Sequence, residues 1–125
     1  MYISVVQIDL PDNVDLDDLT EGFLISGRRY RHVPGLLRKY YTMKDEVITG
    51  GVFVWESRKY ALAGHLDSDW NDLIWNKYGV KPQVTYYEVP VVVDNVLGKI
   101  CRGSEYLEAM GRGPDVRGTR DKSET

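Results

Sequence analysis

The stretch Pro34-Gly35-Leu36-Leu37-Arg38-Lys39-Tyr40-Tyr41, followed after a polar turn by Gly50-Gly51-Val52-Phe53-Val54-Trp55-Glu56-Ser57-Arg58-Lys59-Tyr60-Ala61, decides the fold. Pro34-Gly35 stops a helix, because proline cannot donate a backbone hydrogen bond and glycine accepts a left-handed turn. Residues 36 to 42 and 50 to 56 are rich in β-branched and aromatic side chains, and Lys44-Asp45-Glu46 makes a turn between them. They read as an antiparallel hairpin with a longer loop. Ser57 then offers a cap for a second helix.

Outward from this core, residues 2 to 8 form a first strand that Pro11 stops. Asp15 is placed to cap a helix over about 16 to 32, with Val14 and Leu19 as a hydrophobic staple and Leu16, Leu19, Phe23 and Tyr30 at roughly helical spacing. Arg28, Arg29 and Arg31 complement the carbonyl end of that helix, a structural role preferred to an anion site. The second helical region covers about 58 to 78. A break is expected near Asp67-Ser68, where Ser68 can cap a new segment, and a stop at Gly79. Residues 83 to 90 make the last strand, leaving the sheet at Pro90. The order is βαββαβ, the α+β ferredoxin-like pattern of an antiparallel sheet with two helices on one face. Residues 1 to 97 form this domain. Residues 98 to 125 turn glycine-rich with mixed charge and read as an extension, with a short helix at 104 to 110 capped by Ser104 and then a tail.

The 125 residues, 42% hydrophobic and 28% charged, suffice for one core. A net charge of -3 gives no electrostatic footprint for nucleic acid. Cys101 is the single cysteine, which fits a reducing compartment. No stretch approaches the ~20 apolar residues of a membrane span, and the N-terminus lacks the basic and apolar runs of a signal peptide. A cytoplasmic protein with no membrane or nucleic-acid partner is expected.

A solitary antiparallel sheet shows water a polar face. Here Ile3, Val5 and Gln7 oppose Ser4, Val6 and Ile8 on strand 1. Val52, Val54 and Glu56 oppose Phe53 and Trp55 on strand 3, and Val84, Tyr86 and Glu88 oppose Thr85, Tyr87 and Val89 on strand 4. Both faces carry apolar groups, so two subunits are expected to pack sheet against sheet as a homodimer.

The Pro-Gly-Leu-Leu start of strand 2, Gly50-Gly51-Val52-Phe53-Val54-Trp55 and the alanine-containing helix at 58 to 66 resemble the YdhR-type monooxygenases of the dimeric α+β-barrel superfamily. The resemblance spans about residues 1 to 92. It implies a dimeric barrel and a small aromatic ligand. Relatives include antibiotic-biosynthesis monooxygenases, which oxidise aromatic polyketides without a bound metal or flavin, and also cyclases, isomerases and haem-degrading enzymes. The reaction therefore stays open.

Three tryptophans, nine tyrosines and two phenylalanines give 11% aromatic residues, and Trp55, Tyr60, Trp70, Trp75 and Tyr78 gather around the second helical region. Such walls suit a planar ligand, although any one of these rings is more often plain core. Trp55, Trp70, Trp75, Asn71, Tyr40 and Tyr86 are the candidate substrate-binding residues. Tyr40 and Tyr41 point to opposite sides of strand 2, so at most one faces a given pocket. His65 is the candidate base, with Asp69 one turn later to orient it, against the blander reading of an exposed helix histidine. His32 reads as a helix-end cap. Neither histidine has a metal-ligand spacing, and no cysteine pair exists. Haem-degrading relatives use Asn, Trp and His; Asn71, Trp70 and His65 lie near one another, but Gln7 stands in strand 1 and His65 precedes the tryptophans. The expected function is a cofactor-independent monooxygenase acting on an aromatic or polyphenolic metabolite. The alternatives are a non-oxidative cyclase or isomerase and a non-catalytic small-molecule-binding dimer.

Overall fold

The computed structural model describes residues 1–11, 19–45 and 47–111. The Asp15 cap, its Val14 staple, the first turn expected for helix 1 and the tail beyond residue 111 lie outside them.

Strands β1 (Tyr2–Asp9), β2 (Leu36–Lys44), β3 (Ile48–Trp55) and β4 (Gln83–Glu88) form one antiparallel sheet in the order β2-β3-β1-β4. This is the ferredoxin-like arrangement read from the sequence. Helix α1 (Leu19–Ser26) runs into a 3₁₀ turn at Gly27–Tyr30, so the basic run at its end is wound more tightly than an α-helix. Helices α2 (Arg58–Leu66) and α3 (Ser68–Tyr78) follow β3.

The hairpin arms are longer than expected and the turn shorter, because β3 begins at Ile48 and pairs through Thr49 with Met43 and Ile8. Gly50 makes this possible. A Cβ built there would stand 1.9 Å from the Val6 carbonyl oxygen, so only glycine lets β1 and β3 close at that point. At the other end of the hairpin, Gly35 adopts φ +73° and its carbonyl accepts from Glu56 N at 2.9 Å.

The break between α2 and α3 falls where the sequence places it, but Asp67 caps the new helix rather than Ser68. Its carboxylate accepts from Trp70 N at 3.0 Å while its backbone is extended. Ser57 occupies the cap position of α2 without a side-chain bond to the helix. Gly79 ends α3 in the left-handed conformation and donates to the Trp75 carbonyl.

The core lies between the helices and one sheet face. Ser4, Val6, Ile8, Phe53 and Trp55 from the strands meet Ala61, His65, Trp70, Ile74 and Tyr78 from α2 and α3. The opposite sheet face is open. Across it the rows Arg38–Val54–Ile3–Tyr87 and Tyr40–Val52–Val5–Thr85 run side by side, with Tyr40 and Tyr87 about half exposed.

Beyond Pro90 stands an element that the sequence reading lacks. Strands β5 (Val91–Asp94) and β6 (Lys99–Arg102) pair as a second sheet and lead into α4 (Gly103–Ala109). Asp94 accepts from the backbone N–H groups of Val96 and Leu97 at 2.9 Å, which folds the tight turn, and Gly98 takes the left-handed position. Glu105 rather than Ser104 serves the start of α4, accepting from Arg102 N at 3.0 Å. Tyr106 and Leu107 are buried, and the Tyr106 hydroxyl donates to Asp94 at 2.5 Å. The Arg38 guanidinium, beside the hydroxyls of Tyr40 and Tyr106, is held above its ordinary pKa. The helix is thereby tied to the rim of the open sheet face of its own chain.

Candidate functional site

Two adjoining cavities lie between helices and sheet, separated by one aromatic pair. The Trp70 indole N–H donates to the Tyr30 hydroxyl at 3.0 Å, bridging α3 to the 3₁₀ turn above Phe53. On one side is a cavity of about 360 Å³ lined by Trp55, Tyr60, Gly64, His65 and Trp70, with Arg29 and His32 at the side of the 3₁₀ turn. On the other is a smaller one, about 70 Å³, lined by Lys39, Tyr41, Lys77, Tyr78 and apolar side chains of β1 and α3.

His65 is buried, 4% exposed, and its ring is enclosed by Phe53, Trp55, Trp70 and Tyr86 at centroid distances of 4.7, 5.5, 4.6 and 5.9 Å. Its Nε2 lies 2.6 Å from Ser4 Oγ, and that oxygen also accepts the Trp55 indole N–H at 2.9 Å. The serine hydroxyl either donates to Nε2 of a ring protonated at Nδ1 or accepts from Nε2 of the other tautomer. In both states the imidazole is neutral, because burial, and secondarily the Lys39 charge, lower its pKa to about 4. Nδ1 is buried and has no hydrogen-bond partner among the described residues. Asp69 does not orient this ring. The extended backbone at Asp67 breaks the helix between the two residues, so helical spacing no longer places Asp69 beside His65, and it is exposed.

The candidate residues divide. Trp55, Trp70 and His65 line the larger cavity and Tyr86 packs against the His65 ring. Asn71 spans the helix break, its amide donating to the carbonyls of His65 and Asp67 at 2.9 Å each, so it positions the histidine backbone. Trp75 is 54% exposed on the outside of α3, and Tyr40 is 52% exposed on the open sheet face. Neither lines these two cavities. Ser4, Tyr30 and Lys39 belong to the site without carrying a functional motif in the sequence. Strand alternation puts Ser4 on the same face as Val6 and Ile8, which is the one signal that it would be buried.

Among the described residues no three His, Cys, Asp or Glu side chains gather as a metal site requires, and no helix is long and apolar enough to cross a membrane.

No protein-family signature and no curated protein matches the chain. Solved structures do. A monooxygenase from the gene ActVA-Orf6 of Streptomyces coelicolor, in complex with Nanaomycin D, superposes with a TM-score of 0.57 at 15% identity over 74% of this chain and 90% of that one. An inferred antibiotic-biosynthesis monooxygenase from Deinococcus radiodurans gives 0.59 at 12% identity over 75% and 97%. A protein of unknown function from Nitrosomonas europaea, NE2512, gives 0.58 at 11% over 74% and 92%. At these identities the likeness is one of fold alone.

Proposed function

We propose that this protein is a cofactor-independent monooxygenase of an aromatic or polyphenolic metabolite, working as a homodimer. The observation that carries this reading is the cavity of about 360 Å³ in which flat aromatic side chains surround a space bordered by a neutral, buried histidine. Its volume lies within the usual range for small-molecule sites. Trp55, Trp70 and Tyr60 supply apolar faces for a planar ring. The His65 ring borders this space, with an Nδ1 that carries no protein partner among the described residues.

In this reading the chain orients the substrate and favours its electron-rich anion, which then reacts with oxygen. For a phenol carried to a quinone, one oxygen atom enters the ring and the other leaves as water with two substrate hydrogens. The substrate supplies all the electrons. The likeness of fold to the Streptomyces coelicolor monooxygenase supports the same class of chemistry.

A second reading, a binding dimer without turnover, draws support from the low proton affinity of His65 and from the engagement of its Nε2 with Ser4. A thermal-shift screen of phenols, quinols and polyketide-like aromatics, followed by oxygen-electrode measurements on each hit, separates the two. Oxygen uptake matched by quinone absorbance is expected. Binding with no uptake and an unaltered ligand sinks the oxygenase and leaves the binding dimer, whereas a rearranged product without uptake points to a cyclase or isomerase.

A further inference from the structure

Lys39 has surroundings that a surface lysine lacks. It stands on the helix-facing side of β2, in the register row Lys39–Phe53–Ser4–Tyr86. Its Nζ lies 3.0 Å from the centroid of the Tyr41 ring, 4.4 Å from that of Tyr30 and 5.0 Å from that of Phe53, and it borders the cavity of about 70 Å³. Among the described residues no carboxylate forms an ion pair with it. The charged group that does face it is another cation, Lys77 of α3, and the remaining titratable neighbours are the phenols of Tyr30, Tyr41 and Tyr78 and the neutral imidazole of His65.

We propose that Lys39 is a carbonyl-binding site: its amine condenses with a small aldehyde or methyl ketone entering the chamber, forming an imine held within the aromatic cage. A lysine made nucleophilic by an apolar pocket and a neighbouring cation is the arrangement this chemistry uses. Burial first, and Lys77 second, lower the Lys39 pKa to about 7, so that much of the amine is uncharged at neutral pH. The nitrogen lone pair forms a bond to the carbonyl carbon, the carbon–oxygen π bond breaks, and the oxygen takes up a proton. That proton comes from the nitrogen, whose second hydrogen leaves with the departing hydroxyl as water, so that amine and carbonyl yield imine and water, and a proton from solvent then gives the protonated imine. Tyr30, Tyr41 and Tyr78, all held protonated by burial, present phenol protons around the site. The protonated imine is a bulky, weakly hydrated cation, and ring faces stabilise such cations. The small volume restricts the carbonyl compound to a few heavy atoms beyond the reacting carbon. This activity is independent of the oxygen chemistry proposed for the larger cavity.

The test is reductive trapping of the full chain with acetaldehyde and cyanoborohydride at pH 7 and pH 9, with the ethylated lysines mapped by mass spectrometry. The exposed Lys59, Lys81 and Lys99 are internal references. With its pKa lowered to about 7, Lys39 is uncharged at pH 7 far more often than an ordinary lysine, whose pKa is about 10.4. Its lower basicity makes it a weaker nucleophile per uncharged molecule, so an excess of about tenfold or more at Lys39 is expected. Raising the pH to 9 increases labelling at the references far more than at Lys39. Lys39→Arg removes the excess while leaving the reference sites unchanged. Labelling of Lys39 at or below the level of the references at pH 7 overturns the proposal, and that ratio is read in the unmodified protein whether or not the variant folds.

Discussion

The imidazole of His65 meets the hydroxyl of Ser4 at 2.6 Å, 61 residues away in sequence, and neither group is open to water. The same hydroxyl accepts the Trp55 indole at 2.9 Å, so one small side chain satisfies polar atoms from β3 and α2 together. Ser4→Ala is expected to leave both without their partner and to cost about 1–3 kcal/mol, the range for unsatisfied buried polar groups. Urea denaturation reads this loss. A variant as stable as the parent would mean that the two nitrogens find other partners.

Stability should fall on acidification through His65. Its folded pKa, about 4, lies below the ordinary 6.5, so the unfolded chain binds the proton more readily. The neutral ring contributes its full stability above pH 6.5. That contribution declines between pH 6.5 and 4, by on the order of 3 kcal/mol in total, and is flat below. Denaturation of the parent and of His65→Gln at pH 7, 5.5 and 4 should show the parent losing more by about that amount. Parallel losses would place His65 in a wetter environment than this packing gives it.

Much of the scaffold was legible because its signals are local. Pro34-Gly35, the break at Asp67 and the stop at Gly79 all act through backbone conformation within a few residues. The site was less so. Trp55, Trp70 and His65 could be named from their concentration in one segment, but neither helical periodicity for Trp75 nor strand alternation for Tyr40 shows that these two stand apart from the cavities. Lys39 gives no such signal, because a lysine in an alternating strand reads as solvent-facing. Its desolvation comes from Tyr30, Tyr41 and Phe53, brought together only by tertiary packing. The β5–β6 hairpin leaves little trace in the sequence because its strands are only four residues each, too short for periodicity to emerge.

The Tyr30–Trp70 bridge should be a structural partition as well as a cavity wall. Tyr30→Phe keeps the edge-to-face ring contacts and removes only the hydroxyl, leaving the Trp70 N–H without its acceptor, with an expected loss of about 1 kcal/mol. Trp70→Phe removes the donor and part of a side chain that is 4% exposed, so a larger loss of about 2–3 kcal/mol is expected. Thermal melts of both variants rank the two effects. Equal stabilities would indicate that the indole volume contributes nothing beyond its hydrogen bond.

Gly64 is the position at which the larger cavity can be altered from the helix side. A Cβ there would stand 2.4 Å from the Trp55 ring, which is itself 1% exposed and fixed by Ser4. Gly64→Ala gains helix propensity of about 1 kcal/mol but overpacks the wall by about 1–3 kcal/mol. A net loss of stability is expected, together with at least tenfold weaker binding of any hit from the aromatic screen. A more stable variant with unchanged ligand affinity would show that Trp55 can yield and that the ligand lies elsewhere.

Dimerisation is expected through the open sheet face. Val5 and Val52 stand opposite each other at its middle, with Tyr40 and Thr85 completing the row and Ile3, Val54 and Tyr87 in the next. Covering these side chains with a second copy removes apolar surface from water on both subunits. The exposed Val91, Val93 and Ile100 of the β5–β6 hairpin add apolar area beyond the sheet. Light scattering at micromolar concentration should therefore give twice the 14.3 kDa chain mass. Val52→Glu sets a charge at the centre of the row and its copy in the partner, and should yield a monomer with unchanged circular dichroism. Lys59→Glu, on the exposed side of α2, should leave the dimer intact. A parent protein that scatters as a monomer would remove the homodimer from the proposal, whereas a dimer indifferent to Val52→Glu would move its interface away from the sheet.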